Sequence, residues 1–204
     1  MSEIVGRGAE AILYKEGDVL VKERIKKGYR INEIDEKLRL QRTKLESRIM
    51  LRARRHGLNV PNIIKTEKYK IFMEFINGKR LKELLNDIDS AKRREISEEI
   101  GRSVGILHSA GIIHGDLTTS NMILKKEDNK IYFIDFGLSF HSLSVEDRAI
   151  DLHLLHQAYQ STHFSFLDEL WSNTIKGYEE TFKDWKNVLS RLEQIRKRGR
   201  YSKR

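Results

Sequence analysis

Two short polar segments limit the folds open to this chain more than anything else in it: HGDLTTSN at 114–121 and IDFGLS at 134–139. Asp116 and Asn121 share one loop, and Asp135 follows a short hydrophobic run. MILKK (122–126) and KIYFIDF (130–136) flank a polar turn and read as a hairpin that presents Asp135 at its end. Together the three side chains form an ordered set of oxygen ligands. A helix–hairpin segment with incidental polar residues would leave them clustered at strand ends without a role.

The first third of the chain reads as short strands, IVG (4–6), AILYK (11–15) and VLVKE (19–23), with the small-residue turn GRGAE between the first two. A long basic helix is expected from about Ile31 to Arg55. Ile34, Leu38, Leu45 and Ile49 would share one apolar face, and Gly57 would stop it. Pro61, the single proline, marks an extended entry to a second hairpin, IIKTEKY (63–69) and KIFMEFI (70–76). Asn77-Gly78 breaks the pattern and marks a lobe boundary. Beyond it the chain is mainly helical. Ile96, Ile100, Val104 and Leu107 form one stripe of a helix over about 90–110, and later helices carry Trp171 and Trp185 as core or inter-helix aromatics.

With 204 residues and 39% apolar content, the chain is long enough for one large domain or two small lobes around a real core. No apolar run approaches the roughly 20 residues of a membrane helix, and MSEIVGRG does not resemble a signal peptide. The absence of Cys rules out disulfides and thiolate metal sites. A cytoplasmic protein without membrane partners is expected. The net charge of +9 is uneven: +8 over 22–55 and +6 over 191–204, around a mildly acidic middle. Such blocks attract polyanions, although a solvated helix face and a soluble tail would look the same. The segment RKRGRYSKR (196–204) has almost nothing apolar to bury and is expected to be mobile.

A phosphate-transfer site needs backbone N–H groups over the phosphates, a cation on them, a metal held by hard oxygens and a carboxylate near the nucleophile. Each has a candidate here, in workable order. Gly6 and Gly8 lie in the first turn, Lys22 on the third strand, and Glu46 on the long helix, where it can orient Lys22. Asp116 stands near the nucleophile. Asn121 and Asp135 supply oxygens to Mg²⁺ without forming a full protein cage.

The segments GRGAEA (6–11), VKE (21–23), RTKLES (42–47), MEFINGKRL (73–81), LHSAGIIHGDLTTSNMIL (107–124), IDFGLS (134–139), VEDRAIDL (145–152) and the basic tail span nearly the whole chain. In them the sequence resembles the protein-kinase-like superfamily, and within it the small atypical kinase subunits of KEOPS complexes, relatives of the RIO kinases. The resemblance implies an α+β, minimal bilobal fold. Its N-lobe (about 1–76) would hold an antiparallel sheet and one long helix, followed by a short, mainly helical C-lobe (about 77–195) and a basic tail (about 196–204). It implies an Mg·ATP-dependent atypical Ser/Thr kinase or ATPase partnering a Kae-one-type enzyme and other KEOPS subunits in threonylcarbamoyl-adenosine modification of tRNA. tRNA is a further expected partner, through the basic helix and tail. Lys22 would bind the α/β-phosphates, and Glu46 would pair with it. Asp116 would act as base, or position the attacking hydroxyl or water, and Asn121 and Asp135 would hold Mg²⁺. Met73 would flank the adenine, with backbone groups of Glu74 and Ile76 on its edge. His114 would pack against the Asp-Phe-Gly turn, Asp151 would brace the catalytic loop, and His108 would be a core histidine.

Departures from ordinary protein kinases matter as much. Gly115 stands where an Arg usually reads a phosphorylated activation loop, and only 13 residues separate Gly137 from Asp151. With no long loop to order, such an Arg has nothing to pair with. Thr118 replaces the Lys expected two residues after the catalytic Asp, so a cation on the transferred phosphoryl is missing from its usual place. Two other readings share the core motif: an aminoglycoside- or choline-type phosphotransferase, and a nucleotide-binding scaffold without turnover. The short C-terminal portion weighs against the first, and the complete set of site residues against the second.

Overall fold

The computed structural model describes residues 3–201. Its first layer is a five-stranded antiparallel sheet. β1 (Glu3–Arg7), β2 (Ala11–Glu16) and β3 (Val19–Arg24) are joined by tight turns. β4 (Ile63–Glu67) and β5 (Lys70–Glu74) complete it in the order β1-β2-β3-β5-β4. Alternation along β3 and β5 turns Val21, Ile71 and Met73 into the core.

α1 (Asn32–Arg55) packs on β4 and β5. Its inward face matches the one expected from apolar spacing only in part: Ile49 is buried and Leu38 half-buried. Ile34 and Leu45 are 51% and 47% exposed, while Asp35, Thr43, Glu46, Met50 and Ala53 are buried. The polar members of that face are each engaged. Asp35 accepts from Arg39 and from the Lys27 N–H, and Thr43 donates to the Arg39 carbonyl. Polar groups stay buried on a helix where each is paired, and apolar periodicity does not reveal such positions.

The chain leaves the sheet through Phe75, whose N–H donates to the Asp18 carbonyl. It enters a second layer through β6 (Gly78–Arg80) and the single-turn α2 (Leu81–Leu84). β6 pairs with β8 (Met122–Lys125), which pairs with β9 (Ile131–Phe133). α3 (Ser90–Ser109) starts on Asp89, whose side chain accepts from the Lys92 N–H. It buries the predicted stripe Ile96, Ile100, Val104 and Leu107. The short β7 (Ile112–Ile113) pairs with β10 (Phe140–His141). α4 (Val145–Thr162), α5 (Leu167–Thr181) and α6 (Trp185–Tyr201) follow. Trp171 and Trp185 pack partly buried against the core, as expected.

The segment expected to be a mobile tail behaves differently up to Tyr201. Residues 196–201 continue α6, whose Val188 and Leu192 are buried. That anchored face carries helix into a run of Arg and Lys, which have good helix propensity. Residues 202–204 lie outside the described residues. Among the described residues, no helix is long and apolar enough to cross a membrane.

Candidate active site

The two layers face each other across a cleft whose deeper part is a cavity of about 370 Å³. Leu20, Met73 and Val5 line it from the sheet, and Ile123 and Ile134 from the second layer. Glu74, Phe75 and Ile76 border it where the chain crosses between layers. The Glu74 N–H already donates to the Asn62 carbonyl, so any contact with a bound base falls to its own carbonyl. The Glu74 carboxylate accepts from Lys125 on β8 at 2.6 Å, pinning the two layers together beside the cavity. Ile123 and Ile134 were not singled out by sequence. Their signal is strand alternation beside Met122 and Phe133, which face the core instead.

The charged end of the cleft is built from one residue per element. Lys22 on β3 is 8% exposed, and its Nζ lies 2.6 Å from Glu46 Oε1 and 2.6 Å from Asp135 Oδ1. Burial opposes the ammonium charge, but Glu46 and Asp135 outweigh it and hold the Lys22 pKa above the usual lysine range. Burial likewise pushes the Asp135 carboxyl up, and Lys22 overrides it, so the pKa falls below the usual value. Asp135 adopts φ 61°, a left-handed conformation uncommon for a non-glycine residue. The Lys22 contact and a 3.2 Å bond from the Gly137 N–H to Asp135 Oδ1 hold it there.

Asp116 and Asn121 sit across from this cluster. Asn121 Nδ2 donates to Asp116 Oδ2 at 2.8 Å and to the Asp116 carbonyl at 3.0 Å. That commits the amide nitrogen and leaves the lone pairs of Asn121 Oδ1 available to a metal, an assignment that follows from the hydrogen-bond network. The Asp135 side chain is 52% exposed. Two hard oxygens with room for waters suit Mg²⁺, which keeps several waters and takes few protein ligands. Gly8 borders a second cavity, of about 290 Å³, that also reaches Asp116 and Asp135. Gly6 sits within β1 opposite Leu13, beside a bulge, so the two glycines do not act as one loop.

The loop that carries Asp116 is held from below. Asp151 on α4 is fully buried and accepts from the His114 N–H at 2.8 Å and the Gly115 N–H at 2.9 Å. His108 bridges Asp151 and the Tyr178 hydroxyl, as a core histidine whose pKa burial lowers. His114 is tilted against Phe136 with ring centroids 4.7 Å apart. Gly115 has φ 78°, and a Cβ there would stand 2.5 Å from the Leu138 carbonyl oxygen. The missing Arg therefore has a steric cause as well: no side chain fits where the loop meets Leu138. After Leu138 the chain pairs at once with β7, and Ser144 caps α4 by accepting from the Glu146 and Asp147 N–H groups.

A two-layer molecule with a Lys–Glu pair, an Asp-Phe-Gly turn and an Asp/Asn loop around one cleft has a protein-kinase-like fold. Consistent with that, it superposes on the Rio2 kinase–ADP/Mg²⁺–phosphoaspartate complex from Chaetomium thermophilum with a TM-score of 0.62 and 15% identity, covering 98% of this chain and 70% of the other. The family model "RIO domain" matches residues 13–150, and the chain belongs to that family. It is 44% identical to "KEOPS complex subunit Bud32" of Pyrococcus abyssi, over 99% of this chain and 97% of the relative. It is also 44% identical to the "Probable bifunctional tRNA threonylcarbamoyladenosine biosynthesis protein" of Methanosarcina barkeri, over 99% of this chain. There it spans only 36% of the relative's length.

Proposed function

We propose that the cleft binds Mg·ATP and turns it over, and that the chain serves as the kinase-like ATPase subunit of a KEOPS-type assembly in threonylcarbamoyl-adenosine modification of tRNA. The observation that carries the site reading is the convergence of Lys22, Glu46 and Asp135 opposite the Asp116–Asn121 pair. The KEOPS reading draws support from the name and near-complete coverage of the Pyrococcus abyssi relative. The bifunctional relative, longer than this chain, is named for the same tRNA modification. A partner enzyme of the Kae-one type is assigned on that basis. tRNA contact is assigned to the exposed basic side chains of α1 and the basic run from Arg196 onward.

In this reading the apolar cavity takes the adenosine, with Met73 on its wall and Glu74 and Ile76 at its edge. Lys22 holds the α/β-phosphates, and Gly8 lets the first turn approach them. Asn121 Oδ1 and Asp135 would hold Mg²⁺, which supplies charge neutralisation to the phosphates. Asp116 receives the proton of the attacking oxygen. That oxygen bonds to the γ-phosphorus, and the β–γ bridging oxygen leaves with the bonding electron pair on ADP. The acceptor is water. The stretch between the Asp-Phe-Gly turn and α4 is too short to form a platform for a peptide.

The test is product analysis with γ-labelled ATP and Mg²⁺, for the chain alone and with its KEOPS-type partners and tRNA. ADP with an equal amount of free phosphate, increased by partners and tRNA, is expected. Label retained in protein at stoichiometric yield would replace the ATPase assignment with protein phosphorylation. No ADP from any mixture would refute turnover altogether.

A further inference from the structure

Alternation along β3 sets Arg24 on the same face as Lys22. Both side chains are buried, Arg24 at 4% exposure, and they share one counter-charge. Glu46 Oε1 meets Lys22 Nζ, and Glu46 Oε2 meets Arg24 Nη2, each at 2.6 Å. Arg24 Nε is buried with no hydrogen-bond partner among the described residues. Both cations converge beside the Asp-Phe-Gly turn. The position a Cβ would take on Gly137 lies 3.5 Å from Arg24 Nη2, 3.6 Å from Lys22 Nζ and 3.1 Å from Asp135 Oδ1.

That point opens into the 290 Å³ cavity next to the first turn, lined among others by Gly8, Lys22, Arg24, Asp116, Asp135 and Gly137. Arg24 and Asp116 therefore border one chamber, of a size to hold a phosphate group. Lys22, Arg24 and Arg42 border the chamber beside the carboxylates Glu10, Asp116 and Asp135, and Arg42 pairs with Glu10. Once Asp135 serves a metal, Glu46 is the one remaining carboxylate paired with Lys22 and Arg24 among the described residues. Position 118, where the protein-kinase pattern has a Lys, is Thr.

We propose that Arg24 is a second phosphate-binding cation of this site, whose guanidinium contacts the terminal phosphate of a nucleoside triphosphate and takes the place of the cation missing at Thr118. The inference rests on the nucleotide reading above and adds a residue to it. A planar guanidinium with an unengaged N–H suits a phosphate oxygen better than a second ammonium would. The alternative, that Arg24 only props Glu46 and so aligns Lys22, makes a different prediction. Lys22 serves the α- and β-phosphates, which ADP also has.

The experiment measures the dissociation constants of ADP and of a non-hydrolysable ATP analogue, with Mg²⁺, for the full chain and for Arg24→Met and Arg24→Lys, with thermal melting as the check on folding. One charge-assisted contact is worth roughly 1.5–3 kcal/mol, so Arg24→Met should weaken the triphosphate by about 10-fold or more. ADP should change by less than about 3-fold, and Arg24→Lys should fall between wild type and Met for the triphosphate alone. Should Arg24→Met not fold, the Arg24→Lys ratio of the two constants decides. Equal losses for ADP and the triphosphate would reduce Arg24 to a prop for Glu46 and overturn the proposal, as would no change in either. If the wild-type chain binds neither nucleotide, the underlying site reading fails, and that shows in the wild-type arm rather than in the variants.

Discussion

At Gly115 two independent constraints meet: a positive φ and a carbonyl oxygen where a Cβ would stand. Gly17 shares the first constraint, at φ 60°, but has open space around it. Alanine at either position carries the left-handed penalty of about 1–3 kcal/mol. At Gly115 the Leu138 contact adds to it, because backbone on both sides must shift. Gly115→Ala should therefore lower the unfolding free energy by clearly more than Gly17→Ala, read from denaturant midpoints at equal m-values. Equal losses would mean that the loop yields freely at Leu138. Sequence alone exposed Gly115 as an oddity and gave an electrostatic reason for it; the steric reason needs coordinates. Lys22, Glu46, Asp116, Asn121 and Asp135 were legible because their chemistry resides in residue type and order. Arg24 was hidden in a segment rich in Lys and Arg, and only its two-residue spacing from Lys22 on a strand sets it apart.

Among the elements, β3, β5 and α3 follow their patterns closely because each buries an apolar face, and α1 does so only in part. Of its expected stripe Ile34 and Leu45 are exposed and Ile49 is buried, while Asp35, Thr43 and Glu46 are buried because each is hydrogen-bonded. The α3–α5 contact was also illegible. A Cβ on Gly101 would collide with the Thr174 carbonyl oxygen, and one on Gly177 with the Glu98 carbonyl oxygen, so the two helices touch backbone to backbone. A mid-helix glycine looks like a helix weakness, and Gly→Ala there would gain about 1 kcal/mol of propensity in isolation. Here the neighbour is backbone and cannot rotate aside. Overpacking of about 1–3 kcal/mol opposes that gain, and Gly101→Ala should lower stability by up to about 2 kcal/mol. A stabilised Gly101→Ala protein in thermal or urea unfolding would contradict the close packing. The helical course of 196–201 belongs to this scale as well: propensity and an anchored apolar face extend α6 through residues that composition alone assigns to a tail.

For the molecule as a whole, chain order sufficed for the architecture: glycine turn, strand lysine, helix glutamate, Asp/Asn loop and Asp-Phe-Gly turn place a cleft between two layers. What order cannot convey is how the layers are joined. The Lys125–Glu74 ion pair does so beside the adenosine-sized cavity, and β7–β10 pairing leaves the short segment after Leu138 little freedom. The central claim is that this cleft turns over ATP with Asp116 acting on the attacking oxygen and not on the bound nucleotide. The most direct measurement is the ATP dissociation constant beside kcat for Asp116→Asn, with Mg²⁺ and under the conditions that give the wild-type chain its highest turnover. The carboxamide keeps the shape and removes the base. kcat should fall by about 10²–10⁴-fold, with affinity within about 3-fold of wild type. Parallel loss of affinity and turnover, or near-normal turnover, would contradict the role given to Asp116 and with it the proposed mechanism.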